Sequence, residues 1–213
     1  VESGVAPTHV AYTSLLRCSA KQGDVEAADR LLRQMSEAGI PPDTQALNVV
    51  LDAFVTAGEL ERAEEYLASM QSSGWEPTVV SFTTVISGYA EKGDAASAVR
   101  VFESMRDAAV EPNQVTFNSL IQSHASCSDI AGAEGYLSLM PEARLAPDVV
   151  SYNRLLAGHA RAADPEGAED VIHRMEEEGV EPNEVTWLSM LKACEKAGDD
   201  RTAQGAFRHM VER

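Results

Sequence analysis

His124 and Cys127 stand three residues apart in "HASC", a spacing at which two metal ligands could share one face of a helix. Two ligands do not make a site, because a structural zinc needs four and a catalytic one needs three plus water. No further donors are near: His159 lies a full repeat away, and His9, His173 and His209 are scattered. Cys18, Cys127 and Cys194 are odd in number, far apart and form no CxxC, so they indicate no disulfide framework and read as small core residues. The chain has no glycine-rich phosphate loop, nucleophile elbow or paired carboxylates. It is therefore expected to be no enzyme, with no metal, no cofactor and no small-molecule substrate. What recurs instead is a phrase, "VEPNQVTFNSL" at Val110 to Leu120 and "VEPNEVTWLSM" at Val180 to Met190, whose ninth letter changes from Asn118 to Leu188.

"WEPTVVSFTTV" from Trp75 and "LAPDVVSYNRL" from Leu145 halve the interval to 35 residues. Five full copies run 9–43, 44–78, 79–113, 114–148 and 149–183, and a truncated sixth runs 184–213; residues 1–8 resemble the tail of a preceding copy. A fixed period of this size marks a solenoid, in which each unit buries its apolar face only by stacking on its neighbours. Two helices are predicted per copy. Places 4, 7 and 8 carry one apolar face, as in Tyr12/Leu15/Leu16, Leu47/Val50/Leu51 and Phe117/Leu120/Ile121, and define helix A.

Place 15 is then small (Gly23, Gly58, Gly93, Ser128, Ala163, Gly198) and is followed by an acid that can cap a second helix, B (Asp24, Glu59, Asp94, Asp129, Asp164, Asp199). Pro165 suits the first position of such a helix. Helix B carries Ala at place 20 (Ala28 to Ala203) and Met at place 27 (Met35 to Met210), a small residue for close approach and an adaptable one to fill gaps. Pro42, Pro77, Pro112, Pro147 and Pro182 end the complete copies.

The 213 residues are 44% hydrophobic, enough for a core, and no apolar run approaches the roughly 20 residues of a membrane-spanning helix, so no direct membrane insertion is expected. The chain opens on Val1 without a leader, and any address is expected to have been removed or never included. Net charge is -17, which weighs against a nucleic-acid partner because phosphate binding is mainly electrostatic.

The 35-residue period, the "VTFN" and "VSYN" openings, the constant Ala and Met and the terminal Pro-Asp or Pro-Asn strongly resemble pentatricopeptide repeats of the uniform-length type, over residues 9 to 213. The resemblance implies an all-α fold, a right-handed alpha-solenoid superhelix of helix-turn-helix repeats with A helices lining the concave groove. It implies binding of single-stranded RNA, one base per repeat, in a mitochondrion or chloroplast. It assigns base reading to places 5 and 35: Thr13 with Asp43 for guanine, Asn48 with Thr78 for a pyrimidine, Thr83 with Asn113 for adenine, Asn118 with Asp148 for uracil, and Asn153 with Asn183 for a pyrimidine. The implied target is G-Y-A-U-Y, too short to name one transcript, so the chain is expected to be part of a longer array. The residue types suit the task, since an amide both donates and accepts, a hydroxyl does either, and a carboxylate only accepts. Place 2 packs on base faces in the family and is Val10, Val80, Val115, Val150 and Val185 here, with Gln45 departing.

The acidity is unevenly spread. The first fourteen places of the six copies sum to +3, which leaves -20 on the remainder of a chain totalling -17. Place 13, where the family carries a phosphate-facing lysine, holds cations at Lys21, Arg161 and Lys196 but Thr56, Glu91 and Ser126 elsewhere. A shallow salt dependence follows. The excess acid, that half-set of cations and Leu188 in a reading place motivate an alternative partner, the protein subunits of an organellar complex such as a ribosome or a photosynthetic or respiratory assembly.

Overall fold

The computed structural model describes residues 7–212, so most of the expected preceding tail, residues 1–6, lies outside the described residues. Twelve α-helices and no strand occupy the described residues: α1 (His9–Lys21), α2 (Val25–Glu37), α3 (Thr44–Ala57), α4 (Leu60–Ser72), α5 (Val79–Lys92), α6 (Ala95–Asp107), α7 (Gln114–Ser126), α8 (Ile130–Leu139), α9 (Val149–Ala162), α10 (Pro165–Glu177), α11 (Glu184–Ala197) and α12 (Asp200–Glu212). Each odd-numbered helix begins 35 residues after the last. None of the described helices is long and apolar enough to cross a membrane.

Capping fixes the starts. Asp43, Asn113, Asp148 and Asn183 accept the backbone N–H three residues on at 2.8, 3.0, 2.9 and 3.1 Å, satisfying donors that a helix cannot pair internally. Of the place-16 acids, Asp24, Asp94, Asp129, Asp164 and Asp199 cap the even-numbered helices at 2.8 to 3.0 Å. Glu59 does not; its longer side chain turns to Arg62 instead. Between the two helices of every hairpin the place-15 residue is left-handed, with φ from 56° at Ala163 to 77° at Gly58. That conformation explains why the place is small, and Ser128 and Ala163 adopt it without glycine's freedom.

Two compact units divide the chain, one extending to Gly88 and including Val101–Val110, the other comprising Tyr89–Arg100 and Glu111–Arg213. In the first, α1 packs on both α2 and α3, and α3 on α4. In the second, α7 packs on α8 and α9, α9 on α10 and α11, and α11 on α12. Within each unit these hairpins close on themselves and on their successors, and the fold is an all-α solenoid of helical hairpins. The cores of both units hold the expected stripes: Ala28, Ala63, Ala98, Ala133 and Ala168 are fully buried, and the matching methionines are at most 2% exposed. At Gly158 an added Cβ would come within 2.8 Å of Ile130 Cδ1 and 3.3 Å of the Ala125 backbone, so α9 packs tightly against α7 and the start of α8 there.

Three expectations are corrected by packing. Leu15 is 52% exposed rather than core, since no hairpin precedes α1 among the described residues. Ala203 and Met210 are only partly buried because no described hairpin follows α12. Cys18 and Cys127 are exposed, and only Cys194 is a core cysteine.

Candidate nucleic-acid interface

One face of the odd-numbered helices carries apolar side chains that the fold leaves in solvent. Val10, Val80, Val115, Val150 and Val185 are 42% to 72% exposed, whereas the apolar residues two places on are buried. Isolated exposed valines are ordinary, but within each unit they recur at one place in successive helices, Val10 and Val80 in the first and Val115, Val150 and Val185 in the second, and such a recurrence makes an apolar surface open to a flat partner. Gln45 holds the same place and is likewise exposed.

Three residues on along each helix come the place-5 side chains. Thr13, Thr83 and Asn118 are 7% to 9% exposed, and Asn48 and Asn153 are half-buried. Four of their place-35 counterparts, Asp43, Asn113, Asp148 and Asn183, are the caps of the following helix: the oxygen that satisfies the helix start belongs to the side chain that the sequence pairs with place 5. Asn153 Nδ2 donates to Asn183 Oδ1 at 3.2 Å, and Asn48 Nδ2 makes a long contact to Thr78 Oγ1 at 3.5 Å. Asp148 sits against Asn118; burial alone would raise its carboxyl, but the Ser151 N–H and hydroxyl, with Gln114 and Asn118, hold it below the ordinary carboxylate range. Asp43 instead faces His9, Nε2 to Oδ2 at 3.2 Å. Thr83 is buried on α5, and Asn113 caps α7 in a reciprocal box with Thr116.

In the first unit these places enclose an open slot of about 690 Å³. Its lining includes Asn48 and Thr78, Gln45 and Val80, and Arg17 and Lys21. Lys21, Arg161 and Lys196 are all exposed in the last turns of α1, α9 and α11. Arg17 joins Lys21 one helical turn earlier, and the equivalent residue of the next copy, Asp52, is an acid lining the same slot.

Sequence patterns missed two further features. The first is the placing of His124 and His159, each beside the capping acid of its own hairpin. Their Nδ1 atoms pair with the helix-capping Asp129 and Asp164 at 2.7 and 2.9 Å, and Cys127 donates to the His124 carbonyl oxygen at 3.2 Å. The paired place-19 glycines, Gly132 and Gly167, were the available signal, since each stands where a Cβ would strike the imidazole. The second feature is a hydroxyl at place 3: Ser81, Thr116, Ser151 and Thr186 are all fully buried.

Models of the PPR repeat family match residues 7–56, 42–90, 77–126 and 147–196, and a PPR repeat model matches 115–145 and 185–213. The chain belongs to the pentatricopeptide repeat family. Among solved structures, this PPR chain resembles the pentatricopeptide repeat protein PPR10 from maize, with a TM-score of 0.68 and 24% identity over 99% of this chain and 34% of that one. It also resembles PPR10 in complex with an 18-nt psaJ RNA element, with a TM-score of 0.65 and 23% identity over 99% of this chain and 36% of that one. A third neighbour is the PPR domain of Arabidopsis thaliana protein-only RNase P 1 in complex with tRNA, with a TM-score of 0.63 and 19% identity over 76% and 86% of the two chains. The present PPR tract therefore spans about a third of PPR10's length. No curated protein matches it. Identities this low carry the fold alone.

Proposed function

We propose that this PPR tract binds single-stranded RNA along the exposed place-2 valines, one base per 35-residue copy, with the target G-Y-A-U-Y read from 5' to 3'. The observation that carries this is the slot of about 690 Å³ in the first unit, whose lining brings together Asn48 and Thr78, Gln45 and Val80, and Arg17 and Lys21. Apolar lining suits a base face, amide and hydroxyl groups suit a base edge, and cations suit a phosphate. Thr13 with Asp43 would take guanine, Asn48 with Thr78 a pyrimidine, Thr83 with Asn113 adenine, Asn118 with Asp148 uracil, and Asn153 with Asn183 a pyrimidine. The family context points to a mitochondrion or chloroplast and to RNA processing, stability or translation there. Support for an RNA partner comes from the neighbours named above, which were solved with an RNA element and with tRNA. We read the tract itself as a recognition element and not a catalyst; the RNase P neighbour shows that a PPR domain can belong to a larger enzyme.

The test is retention of a labelled G-C-A-U-C oligomer against its scrambled version at low salt. Preferential binding of the ordered oligomer is expected, with Asn118→Ala weakening preference mainly at the fourth base; equal retention of both removes the proposal. A second reading rests on Leu188, 41% exposed in a reading place beside the exposed Val185 on α11. An apolar side chain there cannot read a base edge and suits a protein surface. Protein subunits that stay with the native protein after nuclease treatment would support that adaptor role, and loss of all partners would exclude it.

A further inference from the structure

Each asparagine in a reading place is held from the following copy. Ser81 Oγ donates to Asn48 Oδ1 at 2.6 Å; Ser151 Oγ and Thr186 Oγ1 each have one hydrogen and two acceptors, and the nearer is the asparagine, Asn118 Oδ1 at 2.7 Å against Asp148 Oδ1 at 2.9 Å, and Asn153 Oδ1 at 2.8 Å against Asn183 Oδ1 at 3.2 Å. All three hydroxyls are fully buried. An amide can be turned end for end without changing its shape, so its orientation must be argued from partners. At Asn153 the partners decide it. Asn183 Oδ1 has to accept, because the Thr186 backbone N–H donates to it at 3.1 Å. The Asn153 atom 3.2 Å from that oxygen is therefore the nitrogen, and the atom facing the Thr186 hydroxyl is the oxygen. At Asn48 the Thr78 N–H donates to Ser81 Oγ at 3.0 Å, and Ser81 Oγ donates to Asn48 Oδ1 at 2.6 Å, the nearer of its two oxygen neighbours, with Thr78 Oγ1 at 3.4 Å. At Asn118 the neighbour is the acceptor-only Asp148 carboxylate, so the nitrogen again takes that side.

The first copy supplies the contrast. There the following copy offers Ala46 in place of a hydroxyl, and the reading residue is Thr13, which bonds its own helix at His9 O at 2.9 Å.

We propose that Ser81, Ser151 and Thr186 are positioning residues that fix the Asn48, Asn118 and Asn153 amides with Oδ1 turned away and an Nδ2 hydrogen facing the groove, and so set these copies to read base acceptors. This rests on the RNA-binding proposal. One Nδ2 hydrogen points to the place-35 side chain and the other is left for a carbonyl oxygen of uracil or the ring nitrogen of cytosine. Specificity then belongs to a trio of residues across two copies.

The experiment measures binding of G-C-A-U-C and of its three variants at the fourth base to wild type, Ser151→Ala and Ser151→Thr. One misplaced hydrogen bond corresponds to about a fivefold change. Ser151→Ala is expected to lose about that factor of preference for uracil at the fourth base, with the other four positions unchanged, and Ser151→Thr to restore it. Because Ser151 also bonds Asp148 at the helix start, a second arm avoids depending on its loss: Thr13→Asn with Ala46→Ser is expected to gain a pyrimidine preference at the first base that Thr13→Asn alone lacks. Side-chain amide NMR of Asn118 gives a readout without RNA, with slow hydrogen exchange expected in wild type and fast exchange in Ser151→Ala. Unchanged fourth-base preference in Ser151→Ala, or an equal relaxation at every base, overturns the inference. A wild type that cannot tell ordered from scrambled oligomer overturns the RNA proposal instead, while the amide exchange still reports whether the hydroxyl holds the side chain.

Discussion

Replacing Gly167 by alanine tests whether the His159–Asp164 pair ties the two helices of its hairpin together. A Cβ at Gly167 would stand 2.5 Å from the His159 ring and closer still to the Asp164 carboxylate. His159 is 6% exposed and has little room to retreat. Forcing it aside costs about 1 to 3 kcal/mol as overpacking, and displacing Asp164 from the Gly167 N–H costs about 1 kcal/mol as a lost cap. Alanine's better helix propensity returns about 1 kcal/mol. The net is about 2 kcal/mol of destabilisation, or a fall of about 4 to 8 °C in Tm for a chain of this size. Gly135, on α8 with nothing within 4 Å of an added Cβ, is the control, and Gly135→Ala should stabilise by up to about 1 kcal/mol. Urea and thermal denaturation measure both. Adding His159→Ala to Gly167→Ala should cost less than the two single changes summed, because the clash disappears with the ring. A Gly167→Ala protein as stable as wild type would refute the close packing that the pair requires.

Ala163, left-handed at φ 56°, should gain about 0.5 to 1 kcal/mol on replacement by glycine, whereas glycine at the helical Ala160 should cost about that much; chemical denaturation separates them. The Asp129 and Asp164 carboxyls are held below their usual range, first by the Gly132 and Gly167 N–H groups and then by the histidines. Their contribution is present above the unfolded carboxylate value of about 3.9 and is lost as pH falls through the lower folded values. Urea midpoints should therefore drop below about pH 4, and less steeply in Asp164→Asn. With three place-13 cations, log affinity for RNA should fall with log salt at a slope of about -2, and Lys21→Ala should make it shallower by about 0.7; a slope near zero in wild type would remove the phosphate role.

The period, the two helices per copy and the turn between them were legible in residue types alone, because they depend on local chemistry. A small residue before an acid at places 15 and 16 specifies a left-handed turn and a cap wherever it falls, and a repeat written six times averages away individual exceptions. Such exceptions are where local rules gave out. Glu59 has the right charge, but its extra methylene takes it to Arg62; Leu15 has the right periodicity but no neighbour to bury it. The series of place-5 residues was visible as Thr13, Asn48, Thr83, Asn118 and Asn153, and the change to Leu188 stood out against it. That series cannot show which way an amide is turned. Asn118 lies between the Asp148 carboxylate and Ser151, the latter 33 residues on in the chain and 2.7 Å away in space, and only the stacking of α9 on α7 brings them together. Sequence determined which groups each copy presents, since those are properties of single residues; the tertiary structure decided their orientation, since a hydrogen bond between copies exists only after the copies have packed.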